Sequence, residues 1–78
     1  MSFTRKDKMK KITSEQISNN MKGCRTRAGF SQEEVAKSLE VRRETVINWE
    51  NKPGTVCLKT FIALADLYDC SVNDFFMA

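Results

Sequence analysis

The chain has 78 residues, 13 Lys and Arg against 10 Asp and Glu for a formal net charge of +3, and 41% hydrophobic residues. That length holds one small domain with a limited core, and no apolar run is long enough to span a bilayer, so a membrane-spanning helix is excluded. With no histidine and only three cysteines, Cys24, Cys57 and Cys70, neither a His-based catalytic set nor a zinc pattern can be assembled.

In chain order, residues 1–12 are expected to form a basic, flexible arm and residues 13–78 the folded domain. Residues 1–11 hold Arg5, Lys6, Lys8, Lys10 and Lys11 against Asp7, a net of +4, whereas residues 12–78 carry eight basic and nine acidic groups, a net of −1. A basic surface on the domain must therefore be a local patch. No apolar core of a secretory signal follows the basic arm, and cytoplasmic residence is the expectation. Thr13 or Ser14 can cap a first helix, whose apolar stripe Ile17, Met21, Cys24 and Ala28 recurs at i, i+4, i+7 and i+11. Gly29 stops that helix and Phe30 plugs the corner. Ser31 caps a second helix over 32–38, and Glu34, three residues on, completes a capping box. Val35, Ala36 and Leu39 share its inner face, and Val41 closes the connection.

A third helix is expected over 43–51, with Val46 and Trp49 turned inward. The Pro-Gly segment 52–57 reads as a loop. A fourth helix over 58–68 draws apolar and aromatic bulk from Leu58, Phe61, Ile62, Leu64, Ala65 and Tyr68. Ser71 is placed to cap a last short helix over 72–77, with Phe75 and Phe76 turned to the core or to a partner. The count is five helices and no strand. The three thiols read as reduced and largely buried, since free cysteine packs as a small hydrophobe.

The outer face of the third helix carries the chemistry. Arg43, Glu44, Ile47 and Asn48 lie opposite Val46 and Trp49 at helical spacing. A short helix with such a face suits the major groove. Arg43 can fork onto guanine O6 and N7, and Asn48 can pair with adenine N6 and N7. Glu44 can accept from a cytosine amine, and Ile47 can cover a thymine methyl or pack against a neighbouring protein. Gln32 and the free amides of the second helix are placed to meet a phosphate, with Arg42, Thr45, Asn51 and Lys52 the next phosphate candidates. The Glu33-Glu34 pair sits at a helix start, where it favours the dipole and needs no catalytic explanation. No catalytic residue, metal ligand or cofactor is assigned, and the chain is not expected to be an enzyme.

The stretch 29–51, GFSQEEVAKSLEVRRETVINWEN, resembles the helix-turn-helix of phage Cro and repressor proteins, the XRE-like family. The matching residues are Gly29, Ser31-Gln32-Glu33-Glu34, Val35-Ala36, Leu39, Val41, Arg43, Thr45-Val46 and Trp49-Glu50-Asn51. The likeness continues through Leu58-Lys59-Thr60-Phe61, Leu64-Ala65 and Cys70 to Phe76, and covers roughly residues 17–76. It implies an all-α, compact five-helix bundle of the lambda-repressor-like DNA-binding type. It also implies that Arg43, Glu44 and Asn48 reach base edges, that Gln32 meets a phosphate, and that Arg25 pairs with Glu50 as a partly buried support. The chain departs from the family pattern where glycine is usual, at Glu40, Lys52 and Asp69, each at a helix exit. Arg42 stands where a small hydroxyl residue usually caps the reading helix, and Val56 stands where a proline usually precedes the fourth helix. Altered or mildly strained turns are expected there.

Two functions follow. The first is a sequence-specific DNA-binding transcription regulator, a repressor by default, binding double-stranded DNA as a homodimer on a near-palindromic operator with half-sites about 34 Å apart. The alternative is an antirepressor or antitoxin-like module that keeps the fold and binds another regulatory protein. Glu44 and Ile47 on the reading face, the near-neutral domain and the apolar Phe76-Met77 motivate it.

Overall fold

The computed structural model describes residues 12–78, so the expected basic arm falls almost wholly outside the described residues. Four α-helices, α1 (Ser14–Ala28), α2 (Gln32–Leu39), α3 (Arg43–Asn51) and α4 (Leu58–Tyr68), are joined by short connections, with no strand among the described residues. None of these helices is long and apolar enough to cross a membrane.

Reciprocal side-chain caps fix where the chain enters helix. Thr13 Oγ1 accepts from the Gln16 amide at 3.1 Å, and Gln16 Oε1 accepts from the Thr13 amide at 2.9 Å. Ser31 and Glu34 repeat the exchange at α2, at 3.1 and 2.8 Å. Each box satisfies two amides that a helix start leaves free. Arg42, at the start of α3, makes no such bond. That helix is held by its neighbours rather than by its own end.

The helix exits show how the non-glycine turns are built. Gly29 takes φ +86° after α1, and its amide and that of Phe30 turn back to Thr26 and Arg25 carbonyls. Glu40 after α2 and Asp69 after α4 adopt the same left-handed geometry, at φ +59° and +56°. Lys52 does not; it takes φ −132°, and the chain goes directly into a 3₁₀ turn over Pro53–Thr55 with Pro53 buried. The segment expected to be an open loop is thus partly ordered by its proline.

The fifth expected helix is instead a 3₁₀ segment, Val72–Phe76. Five residues are too few to repay α-helical nucleation. Asn20 of α1 also donates to the Phe75 carbonyl at 3.0 Å and the Met77 carbonyl at 2.7 Å, satisfying two carbonyls at the end of the segment and fastening it to α1. This fastening seats Phe75 in the centre of the molecule. Its ring lies edge-on to Tyr68 at 6.4 Å and tilted against Phe61 at 5.8 Å. Met21, Cys24, Val35, Val46 and Leu64 close the core around it.

Other expectations of burial are corrected. Ala28 is exposed because α1 ends just as its stripe would turn inward. Leu58 and Ile62 also face solvent, since α4 buries the face carrying Phe61, Leu64, Ala65 and Tyr68. Cys57 is exposed at the α4 cap position; of the three thiols only Cys24 is fully buried, with Cys70 half-buried. An L-residue in the left-handed region is strained, so Asp69→Gly should stabilise the domain by about 0.5–1 kcal/mol, read as a raised denaturant midpoint with unchanged slope.

Candidate nucleic-acid interface

The site is built around one buried carboxylate. Glu50 lies on the inner face of α3, its side chain only 2% exposed, and a charge so placed must be matched. Arg25 of α1 meets it with two nitrogens, Nε to Oε2 at 2.7 Å and Nη2 to Oε1 at 3.4 Å. The remaining Arg25 nitrogen, Nη1, donates to the Phe30 carbonyl at 3.0 Å, which fixes the entry to α2. Gln32 Nε2 adds a third bond to the carboxylate, to Oε1 at 3.0 Å. Buried Ser18 donates to the Glu50 carbonyl, tying the end of α3 to α1. No buried side-chain nitrogen or oxygen among the described residues lacks a partner.

Sequence reasoning did not place Gln32 in this network, nor Ser18 at all. Gln32 was expected on phosphate alone; the structure turns one end of its amide inward. The available signal was position: Gln32 opens α2, the turn that faces the end of α3. Ser18 had a weaker one, a small hydroxyl residue beside the apolar stripe of α1.

With its inner face clamped, α3 presents the opposite one. Arg43, Glu44 and Asn48 are exposed and Ile47 is half-buried, while Val46 is fully buried and Trp49 packs against the core. Arg42, Asn51 and Lys52 are exposed at the two ends of the helix, and Thr45 is half-buried. Gln32 and Arg43 are brought together on the rim of an open depression, with Arg25, Ser31 and Glu33. Arg43 and the free amides at the start of α2 suit an anion there, while the Arg25 charge is already matched by Glu50 and Glu33 opposes an anion. Among the described residues no group of three His, Cys, Asp or Glu is placed to hold a metal ion.

The profile of the helix-turn-helix family matches residues 21–75. The chain belongs to the XRE-like helix-turn-helix family. This family of DNA-binding domains includes relatives at modest identity. Antitoxin HipB of Escherichia coli strain K12 is 33% identical over 58 residues, which is 74% of this chain and 66% of that protein. Antitoxin HipB of Escherichia coli O6:H1 strain CFT073 is 33% identical over 58 residues, 74% of this chain and 62% of that protein. The helix-turn-helix chain therefore spans just under two thirds of the length of these relatives. No solved structure matches it significantly.

Away from this face, the thiols differ in reactivity. The Thr60 side chain and backbone pull the exposed Cys57 thiol below its ordinary range, with Sγ 3.3 Å from Thr60 Oγ1. Burial, and then the neighbouring Cys24 side chain, push Cys70 up to about 12. A limiting thiol reagent at neutral pH should therefore label Cys57 first, as peptide mapping by mass spectrometry would show. Deleting one partner of the ion pair strands the other: Arg25→Ala should cost about 3 kcal/mol in denaturant unfolding, and Glu50→Ala should cost less in that background than alone.

Proposed function

We propose that the chain is a sequence-specific DNA-binding transcription regulator that places α3 in the major groove. The observation carrying this reading is the contrast between the two faces of α3. Glu50 anchors one to α1 and α2, while Arg43, Glu44 and Asn48 stand free on the other. Arg43 is the candidate for guanine, Asn48 for adenine, Glu44 for a cytosine amine and Ile47 for a thymine methyl. Gln32, whose amide is already oriented by Glu50, and the amides of the first turn of α2 are the candidates for a phosphate. Arg42, Thr45, Asn51 and Lys52 flank them. Arg25 and Glu50 act as support, since neither side chain is presented to the groove.

In this reading the protein is a Cro-like repressor working in the cytoplasm as a homodimer, on a near-palindromic operator with half-sites about 34 Å apart. The relatives named antitoxin favour a second reading, in which the same fold binds another protein. Salt separates the two readings. Groove binding releases counterions and weakens steeply as salt rises, whereas a protein-only module holds DNA weakly and without that slope.

Duplexes recovered from a random pool provide the test. Arg43→Ala should lose about 1–3 kcal/mol of discrimination at one base position, and Gln32→Ala should weaken all sequences alike. Unchanged affinity and unchanged preference in both variants would remove the assignment of this face.

A further inference from the structure

We propose that Cys24 and Cys70 form a modification site, a thiol pair that a small peroxide oxidises to an intramolecular disulfide. Cys24 stands near the end of α1, and Cys70 follows the exit of α4. Both line one open depression of about 550 Å³, with Arg27, Phe30, Tyr68 and Asp74 also on its walls. The two side chains are direct neighbours there. Neither hangs on a loose segment. Cys24 belongs to the core of the domain. The left-handed turn at Asp69 brings the chain back, and the Cys70 amide donates to the Ala65 carbonyl at 2.9 Å, which fixes Cys70 against the end of α4. Two sulfurs held in this way meet at a high effective concentration.

The surroundings suit the chemistry. Arg27 Nη2 donates to Cys24 Sγ at 3.4 Å, and a guanidinium so placed stabilises the negative charge that gathers on a sulfur as it attacks. Cys24 Sγ attacks one peroxide oxygen; the O–O bond breaks, and the thiol proton leaves with the other oxygen as water. Cys70 Sγ then attacks the sulfenic sulfur; the S–O bond breaks, the S–S bond forms, and the Cys70 proton leaves with the hydroxide as a second water. Two electrons pass from the sulfurs to the peroxide. Burial, which holds the Cys70 thiol protonated, equips it to supply that last proton. Exposed Cys57 reacts more readily but lies outside the depression, so it stops at the sulfenic acid. No residue on the walls belongs to α3, so closure staples α1 to the α4 exit and leaves the face proposed for DNA untouched.

Hydrogen peroxide on the folded full chain tests the site, with alkylation of the remaining thiols and tryptic mapping without reductant. Wild type and Cys57→Ser should both lose two hydrogens and yield peptide 23–25 linked to peptide 60–78. A bond between residues 24 and 70 restricts most of the unfolded chain, so the oxidised form should show a raised denaturant midpoint, reversed by dithiothreitol. Cys70→Ser should give neither the link nor the rise. Cys24 and Cys70 recovered as free thiols after Cys57 is fully oxidised would overturn the proposal. Links confined to Cys57 or to pairs of chains would overturn it as well. A Cys24–Cys70 link that lowers the midpoint would do the same, by showing that the folded domain does not set these sulfurs for a bond.

Discussion

A carboxylate removed from water must find compensation or lose its charge, and Glu50 organises the molecule through that requirement. Its partners come from both other helices of the motif: Arg25 from α1 and Gln32 from α2. Arg25 then carries the constraint to the Phe30 carbonyl, at the corner where α1 hands over to α2. Three helices are thus oriented by five polar contacts, counting Ser18 on the Glu50 backbone. Replacing the set with apolar residues could preserve stability. It would forfeit the directional bonds that fix the rotation of α3 about its own axis.

Rotation is what a groove-reading helix cannot leave free. At about 100° per residue, a twist of one position would swap Asn48 for a side chain now packed inward. The helix does little to fix itself: it has nine residues, no side-chain cap at Arg42 and no glycine at its exit. Its order is borrowed from the Glu50 network on one side and from Val46 and Trp49 in the core on the other. The outer face is thereby left free of structural duties, and in the proposed reading Arg43, Glu44 and Asn48 are free to contact DNA.

The elements that sequence revealed well are those governed by local chemistry. Ser31 with Glu34, and Gly29 with its positive φ, mark the bounds of α1 and α2 through bonds spanning a few residues. The spacing of Val46 and Trp49 similarly fixed which way α3 faces. What escaped depends on contacts between segments far apart in the chain. The seating of Val72–Phe76 against α1 depends on Asn20, 55 residues before Phe75, and no local pattern announces that bond. Ala28, Cys57, Leu58 and Ile62 are apolar, but exposure is decided by where a helix ends and which face its neighbours cover. Gln32 was legible as a residue at a helix start, while its bond to Glu50 needed the fold.

The central claim is that the surface formed by the outer face of α3 and the first turn of α2 meets DNA while the Glu50 network behind it stays in place. Amide chemical-shift mapping by NMR, on titration with a duplex selected by the protein, tests this most directly. The account predicts the largest shifts at residues 31–33 and 42–48, with the Arg25 side-chain Nε–H signal retained in its ion-paired form. Shifts centred on α4 and the C-terminal segment, with residues 42–48 unmoved, would contradict it.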